Sequence, residues 1–433
     1  MGVKLTRVLL FLMLLMMVLL NADQMVMSPN IGMIEEEFGI TDRQIGYIAG
    51  SFTIIGAIIS LLWGYLSDRF SRKNLLLFAV LVGEIPCFLT AFAASYTQLF
   101  ILRALSGIGI GALFPVIFSF TGDTFGEEER PKVNAMLSTA ISLGAIVGMI
   151  IAGFLGGTYG WRLPFILVSV PNVFLAIIFY LIVKEPERGA SEVAVGELVE
   201  KGYKYTAKVR FSDYLVLFKN KTNLILFIQG ILGTIPWGAI PYFLVEFLKR
   251  NRGFTASEAT MIFIFFGLGN VLGIYFGGIV GGKLYKKKPK YMPLFSGIST
   301  AVGAGFALLV LNVEVQADLS GFIILSLLGM VAAALASITG PNMKTMLMNV
   351  NAPENRGRIF SIFNLTDSLG TGAGKFIAGS ISTVLGSLGA AMNISAMFWL
   401  PCAGILLISV FTLPGDVKKL HVKMKEAAER MKR

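Results

Sequence analysis

Five charged side chains fall inside long apolar runs of this 433-residue chain, away from the run ends: Asp23, Glu84, Arg103, Asp367 and Lys375. A lone charge in hydrocarbon costs about 3 kcal/mol or more, so such groups must pair, face water or carry protons. Asp23 lies somewhat outward of the middle of its run, and Arg103 sits about a turn and a half from the outer end of its own, so the two can meet. Glu84 stands mid-run beside Pro86 and is a candidate proton carrier, because protonation removes the charge that an apolar span disfavours. Asp367 and Lys375 share one run about two helical turns apart, where they can form a packing pair or part of a site. The single histidine, His421, lies in the polar tail, so a proton relay within these runs must use carboxylates. Cys87 and Cys402, isolated in different halves, suggest neither a disulfide nor a metal centre.

The elements that must position these residues are membrane helices. With 55% hydrophobic and 15% charged residues, the chain holds more apolar surface than a soluble domain can bury. The net charge of +11 comes from bases lying between apolar runs, so the expected partner is the bilayer and no nucleic acid is expected. Runs of about twenty residues fall at 6–30, where polar residues interrupt, and at 44–66, 74–94, 98–120, 134–156 and 163–183. A second series falls at 223–247, 258–281, 291–312, 319–343, 359–382 and 390–413. The first run has the length of a signal-peptide core but no small-residue cleavage site, and is read as an uncleaved helix. The expected organisation is all-α: a six-helix bundle over 1–183, a linker over 184–222, a second six-helix bundle over 223–414 and a basic tail over 415–433.

Lys and Arg collect in short cytoplasmic loops. With both termini cytoplasmic, the outer loops hold Arg43, Arg162, Lys249, Arg250 and Arg252, the span interiors hold Arg103 and Lys375, and the rest of the 37 bases fall inside, counting Arg7 at the inner end of the first span. The halves also repeat. Gly39-Ile40-Thr41 recurs as Gly253-Phe254-Thr255, and at the same offset Gly64 meets Gly278, Arg69 meets Lys283 and Lys73 meets Lys287. At a second offset Arg130, Gly144, Gly148 and Gly153 meet Arg356, Gly370, Gly374 and Gly379. Two six-helix bundles related by a pseudo-two-fold duplication follow.

The turn Gly64-x-Leu66-Ser67-Asp68-Arg69-x-x-Arg72-Lys73 resembles the signature loop between the second and third helices of the major facilitator superfamily, and Arg103 with Gly107 and Gly109 resembles its fourth-helix motif. Within that superfamily, Asp23, the segment Phe38-Gly39-Ile40-Thr41-Asp42 and Gly122-Asp123-x-Phe125 are similar to the spinster-like carriers of lysolipids and sphingolipids, with departures at Gln24 and Ile110. The resemblance implies a central cavity lined by spans one, four, seven and ten. It makes Arg103 the expected anchor for an anionic group, with Asp23 as counter-ion or protonatable coupling site. Asn21, Gln24, Gln229, Trp237 and Asn342 are further expected solute contacts, and Glu84 and Asp367 further coupling carboxyls.

Within the turn, the bases suffice to orient helices, which leaves Asp68 without a topological reason. It can bond a neighbouring helix start or a base and so latch one conformation, with Arg69, Arg72 and Lys73 as its gating partners. The second copy has Gly282 in place of the acid. The run Gly370 to Phe376 has Leu369 and Phe376 where a phosphate loop needs glycine and Ser/Thr, so no nucleotide site is expected, nor any other cofactor. Span five has Met149 after Gly148 and thus lacks the Gly-Pro pair of the superfamily's drug antiporters. The expectation is a non-enzymatic, monomeric secondary transporter in the cell membrane. It moves a small or amphipathic anion, lipid-like by preference, by proton-coupled alternating access. Small polar anions or drugs are the alternative cargo, and a non-transporting sensor with the same fold is the alternative class.

Overall fold

The computed structural model describes residues 3–67, 69–125, 129–185, 216–351 and 356–431, and the regular elements among them are all helical. The chain divides into two compact units, Met1–Lys208 and Val209–Arg433. The first unit runs α1 (Val3–Ala22), α2 (Ile31–Phe38), α3 (Asp42–Ser67), α4 (Arg72–Thr90), α5 (Tyr96–Ile110), α6 (Phe118–Thr124), α7 (Arg130–Tyr159) and α8 (Leu163–Ile182). The second runs α9 (Lys221–Arg252), α10 (Ala256–Lys287), α11 (Tyr291–Asn312), α12 (Leu319–Ser337), α13 (Thr339–Val350), α14 (Arg356–Leu385), α15 (Leu388–Met397) and α16 (Trp399–Met431).

Ten helical runs among the described residues are long and apolar enough to cross a bilayer; Tyr96–Thr121 joins α5 to α6, Leu319–Val350 joins α12 to α13, and Leu388–Val422 joins α15 to α16. The two remaining expected spans are α1, apolar only over Arg7–Ala22, and α14, which carries Arg356, Arg358, Asp367 and Lys375. Of the two, α14 is the less apolar, because those charged residues and its Gly, Ser and Thr positions lower its hydropathy, whereas α1 is strongly apolar but short.

The repeated triplets are duplicated corners. Gly39 (φ 63°) and Gly253 (φ 75°) each close a helix in the left-handed conformation, which glycine adopts without steric cost. Two residues later, Thr41 N–H donates to Gln44 Oε1 and Thr255 N–H to Glu258 Oε2, each starting the next helix. The glycines of the second set are points of closest approach. A Cβ at Gly144 would lie 2.4 Å from Val18 O and one at Gly148 2.1 Å from Ala22 O, which presses α7 onto α1. In the second unit, a Cβ at Gly370 would lie 2.2 Å from Ile231 O and one at Gly374 2.0 Å from Ile235 O, which presses α14 onto α9. Lipid leaves little hydrophobic force between helices, so such backbone contact is what holds them together.

The first span differs from the continuous helix expected over 6–30. The α1 helix ends at Ala22, and the chain tightens to three-residue hydrogen bonds, Gln24 N–H to Asn21 O, Met25 N–H to Ala22 O and Asn30 N–H to Met27 O. A short 3₁₀ turn, Ser28–Asn30, leads into α2. The polar cluster at 21–24 and Pro29 account for the break, since short polar side chains compete with helix bonds and proline supplies no N–H. The break places Asp23 at a helix terminus, where its own backbone oxygen is available to a side chain.

Candidate functional site

Asp23 and Arg103, 4% and 3% exposed, meet inside the first unit. Arg103 Nη1 donates to Asp23 Oδ1 at 2.6 Å, and Nη2 donates to the Asp23 backbone oxygen at 3.1 Å. The interrupted helix is what permits the second bond. The guanidinium also lies against two aromatic faces, 4.7 Å from the Phe52 centroid and 5.3 Å from that of Phe165. Cys87 on α4 donates its thiol hydrogen to the same Asp23 oxygen at 2.9 Å. One turn earlier on α4, Glu84 is 1% exposed and accepts from Asn172 Nδ2 of α8 at 2.5 Å. A chain of buried polar groups therefore runs from α5 through the break after α1 and across α4 to α8.

Asn21 and Gln24 sit beside this chain and bond elsewhere: Asn21 Nδ2 donates to Met17 O at 2.8 Å, and Gln24 Nε2 to Asn21 Oδ1 at 2.9 Å. In the second unit, Gln229 Nε2 donates to Cys402 Sγ at 3.0 Å. Trp237 lies edge-on to Trp399 with centroids 5.7 Å apart. Asn342 is buried, donating to Ser296 Oγ at 3.1 Å, so its amide ties α13 to α11. Asp367 shows its backbone oxygen to Thr234 Oγ1 at 2.9 Å, and Lys344 is the base whose charge acts on its carboxylate. Lys375 is 2% exposed, with Nζ 5.0 Å from the Tyr242 ring centroid.

Asp68 lies outside the described residues. The bases of its turn have a different acid, one that falls at the start of the 184–222 linker. Glu185, just past α8, accepts from Arg72 N–H at 2.8 Å and Nε at 3.2 Å, from Lys73 N–H at 2.8 Å and from Ser71 Oγ at 2.7 Å. It caps the start of α4, where exposed N–H groups favour an anion. Arg72, 2% exposed, also donates from Nη1 to Ser119 O at 3.3 Å. Burial alone would push the Glu185 carboxyl up, but bonds from Ser71, the Lys73 and Arg72 amides and the Arg72 guanidinium outweigh it and hold the group below the usual glutamate range. Arg69 lies over Tyr65 at 4.2 Å and Lys73 Nζ over Tyr180 at 4.6 Å. Two more participants escaped the sequence, Cys87 and Asn172. A lone thiol in an apolar run looks like a small filler, and an asparagine carries no charge to mark it.

The model of the family described as Major Facilitator Superfamily matches residues 13–374 and 226–430. Among curated relatives, the "Probable sulfoacetate transporter" of Cupriavidus necator is 26% identical over 66% of this chain and 67% of its own length. The hexuronate transporter of Bacillus subtilis is 27% identical over 66% of this chain and 69% of its own. In fold, the chain resembles a bacterial homolog of the human lysosomal transporter Spinster, crystallised in an inward-facing and unoccupied conformation, with a TM-score of 0.78, 17% identity and 96% and 98% of the two chains covered.

Proposed function

The chain belongs to the Major Facilitator Superfamily and is a multi-pass membrane transporter of small-molecule solutes, and from that premise we propose that it carries an organic anion together with a proton by alternating access. The observation that carries this reading is the two-bond hold of Arg103 on Asp23. An entering carboxylate or sulfonate competes with Asp23 for the guanidinium, which suits planar, bidentate anion recognition. Once released, Asp23 must take a proton, because an unpaired carboxylate in a dry site is costly. Anion and proton then move together. Glu84 and Asp367 are further carboxyls available for coupling. Asn21 and Gln24 beside Asp23, with Gln229, Trp237 and Asn342 of the second unit, are the proposed secondary contacts.

Relatives named for sulfoacetate and hexuronate favour a small organic anion as cargo. A lipid-like anion is the second reading, favoured by the motif resemblance to the spinster-like branch and by the likeness in fold. The proposed placement is a monomer in the cell membrane with both termini cytoplasmic. Asp68, Arg69, Arg72 and Lys73 are proposed gating residues, with Glu185 added as the acid that holds two of them.

Counterflow in proteoliposomes decides among these. Exchange of radiolabelled hexuronate or a sulfonated carboxylate, accelerated by an inward proton gradient and lost in Arg103→Ala, is the expected outcome. Exchange of a lysolipid alone selects the lipid-like reading, and no exchange of any of the three refutes anion carriage and leaves a sensor.

A further inference from the structure

Five lysines crowd the C-terminal end of α10: Lys283, Lys286, Lys287, Lys288 and Lys290 are all exposed. No acid stands near them in sequence, since residues 259–313 contain neither Asp nor Glu. One or two bases suffice to complement the carbonyl end of a helix, so most of this charge is left for another partner. At the offset of the repeated corners, Lys283, Lys286 and Lys287 correspond to Arg69, Arg72 and Lys73. The first unit uses its bases internally: Arg69 covers Tyr65, Arg72 is bound by Glu185, and Lys73 Nζ lies over Tyr180. The second unit does not. Among the described residues, the side chains of Lys283, Lys286, Lys287 and Lys288 make no ion pair, hydrogen bond or ring contact, and Lys290 only lies over Tyr291 at 5.9 Å.

The helix face that carries them identifies the partner. Tyr275, Phe276, Ile279 and Val280 are 63%, 57%, 42% and 39% exposed, which puts them against lipid in a membrane-spanning helix. At about 100° per residue, Lys283 falls between Ile279 and Phe276 around the helix axis, Lys286 between Tyr275 and Ile279, and Lys287 between Phe276 and Val280. The apolar stripe therefore runs straight into the basic patch, with Lys283 about 6 Å along the axis from Ile279. The other side of the same stretch is occupied: Gly273, Gly277 and Gly281 are buried, and a Cβ on any of them would strike Ala334, Ile338 or Asn342.

We propose that this face of α10 holds an anionic phospholipid, with its phosphodiester on Lys283, Lys286 and Lys287 and an acyl chain along Tyr275 and Ile279. Lysine stems can stay on the apolar stripe while their ammonium groups reach the headgroups. Clusters of about four to eight bases where a helix leaves the bilayer attract anionic lipid. A zwitterionic headgroup gains little, because its own cation meets the same lysines. A soluble phosphate has the charge but no acyl chain to hold it at the stripe. The Arg103 site takes no part, so this proposal stands or falls apart from the anion-carriage reading.

The test places the whole protein in phosphatidylcholine nanodiscs with a minor share of phosphatidylglycerol bearing a diazirine in its acyl chain, or of phosphatidylcholine bearing the same chain. Cross-linked peptides are then mapped by mass spectrometry. Phosphatidylglycerol is expected to label residues 272–280 at least about fivefold more than phosphatidylcholine, the gain that a single base brings near an anionic surface. Lys283→Gln/Lys286→Gln/Lys287→Gln should abolish that preference. Lys219→Gln/Lys221→Gln/Lys418→Gln removes the same charge from other exposed positions of the unit and should keep it. Equal labelling by the two lipids, a preference that survives the first triple variant, or one lost equally in the second overturns the proposal.

Discussion

A guanidinium and a carboxylate buried together can be a rivet or a binding site, and the Arg103–Asp23 pair can be tested for both at once. Asp23→Ala alone strands Arg103 in an apolar environment and should lower stability by about 3–5 kcal/mol. Removing both charges with Asp23→Ala/Arg103→Met leaves no stranded group, so the double variant should unfold near the temperature of the unaltered protein. If the pair is the site, this stable double variant exchanges no anion in counterflow; if it is only a rivet, transport survives. The pair itself was legible in the sequence, because charges stand out in apolar runs and helical counting put these two at compatible depths. Its second bond was not, since that depends on α1 ending at Ala22, and a run of mixed apolar and small polar residues does not specify where a membrane helix breaks. Nor was the thiol bond from Cys87 to Asp23 legible, because it joins residues on different helices.

Between elements, backbone contact and terminal capping set the packing. Gly148 and Gly157 lie on the same helix and separate the two roles a glycine can have. A Cβ at Gly148 would strike Ala22 O, whereas one at Gly157 meets nothing within 4 Å. Gly148→Leu should therefore abolish folded, monodisperse protein, while Gly157→Ala should be tolerated or stabilise by about 0.4–1 kcal/mol; size-exclusion profiles and thermal unfolding check both. The capping of α4 by Glu185 gives a pH signature. Its carboxyl is held below its ordinary value of 4.5, so its contribution is fully present above about pH 4.5 and is lost as pH falls through the lower folded-state value. Glu185→Gln keeps the shape but not the charge. It should unfold earlier than the unaltered protein at pH 7, by about 1–3 kcal/mol for charge-assisted bonds, and the two should converge on acidification. A gap that stays constant down to pH 3 would place the stabilisation elsewhere. The sequence had located the bases of this clasp and the ends of its helices to within a few residues. It missed the acid, because Glu185 sits among Lys184, Glu187 and Arg188, where one charge looks like another.

At the scale of the molecule, the duplication is shared in helix corners and glycine contacts but not in the break after α1 or in charge. The α1–α7 and α9–α14 contacts use corresponding glycines, yet the positions that correspond to Asp23 and Arg103 are Pro236 and Gly329 in the second unit. That unit instead places Asp367 and Lys375 on α14, where α7 of the first has Ile141 and Met149. Fold and duplication were legible because hydropathy and glycine spacing serve packing in both halves; the duplication gives no help with the Arg103–Asp23 pair, because only one half carries it. The asymmetry has an electrical consequence. The Arg103–Asp23 pair is neutral when intact, and it is neutral again with a monoanion on Arg103 and a proton on Asp23. Uptake of a monoanion should therefore ignore the membrane potential, whereas a dianion on the same site should respond. One elementary charge across 100 mV is worth about 2.3 kcal/mol, or roughly a fifty-fold difference in accumulation at equilibrium. Asp23→Asn cannot supply the charge-balancing proton and should make monoanion uptake follow the potential. Uptake measured in proteoliposomes at potentials clamped with potassium and valinomycin reads this directly. A fifty-fold response of monoanion accumulation in the unaltered protein would show that net charge crosses with the cargo, which refutes one-to-one exchange of a monoanion and a proton at this site.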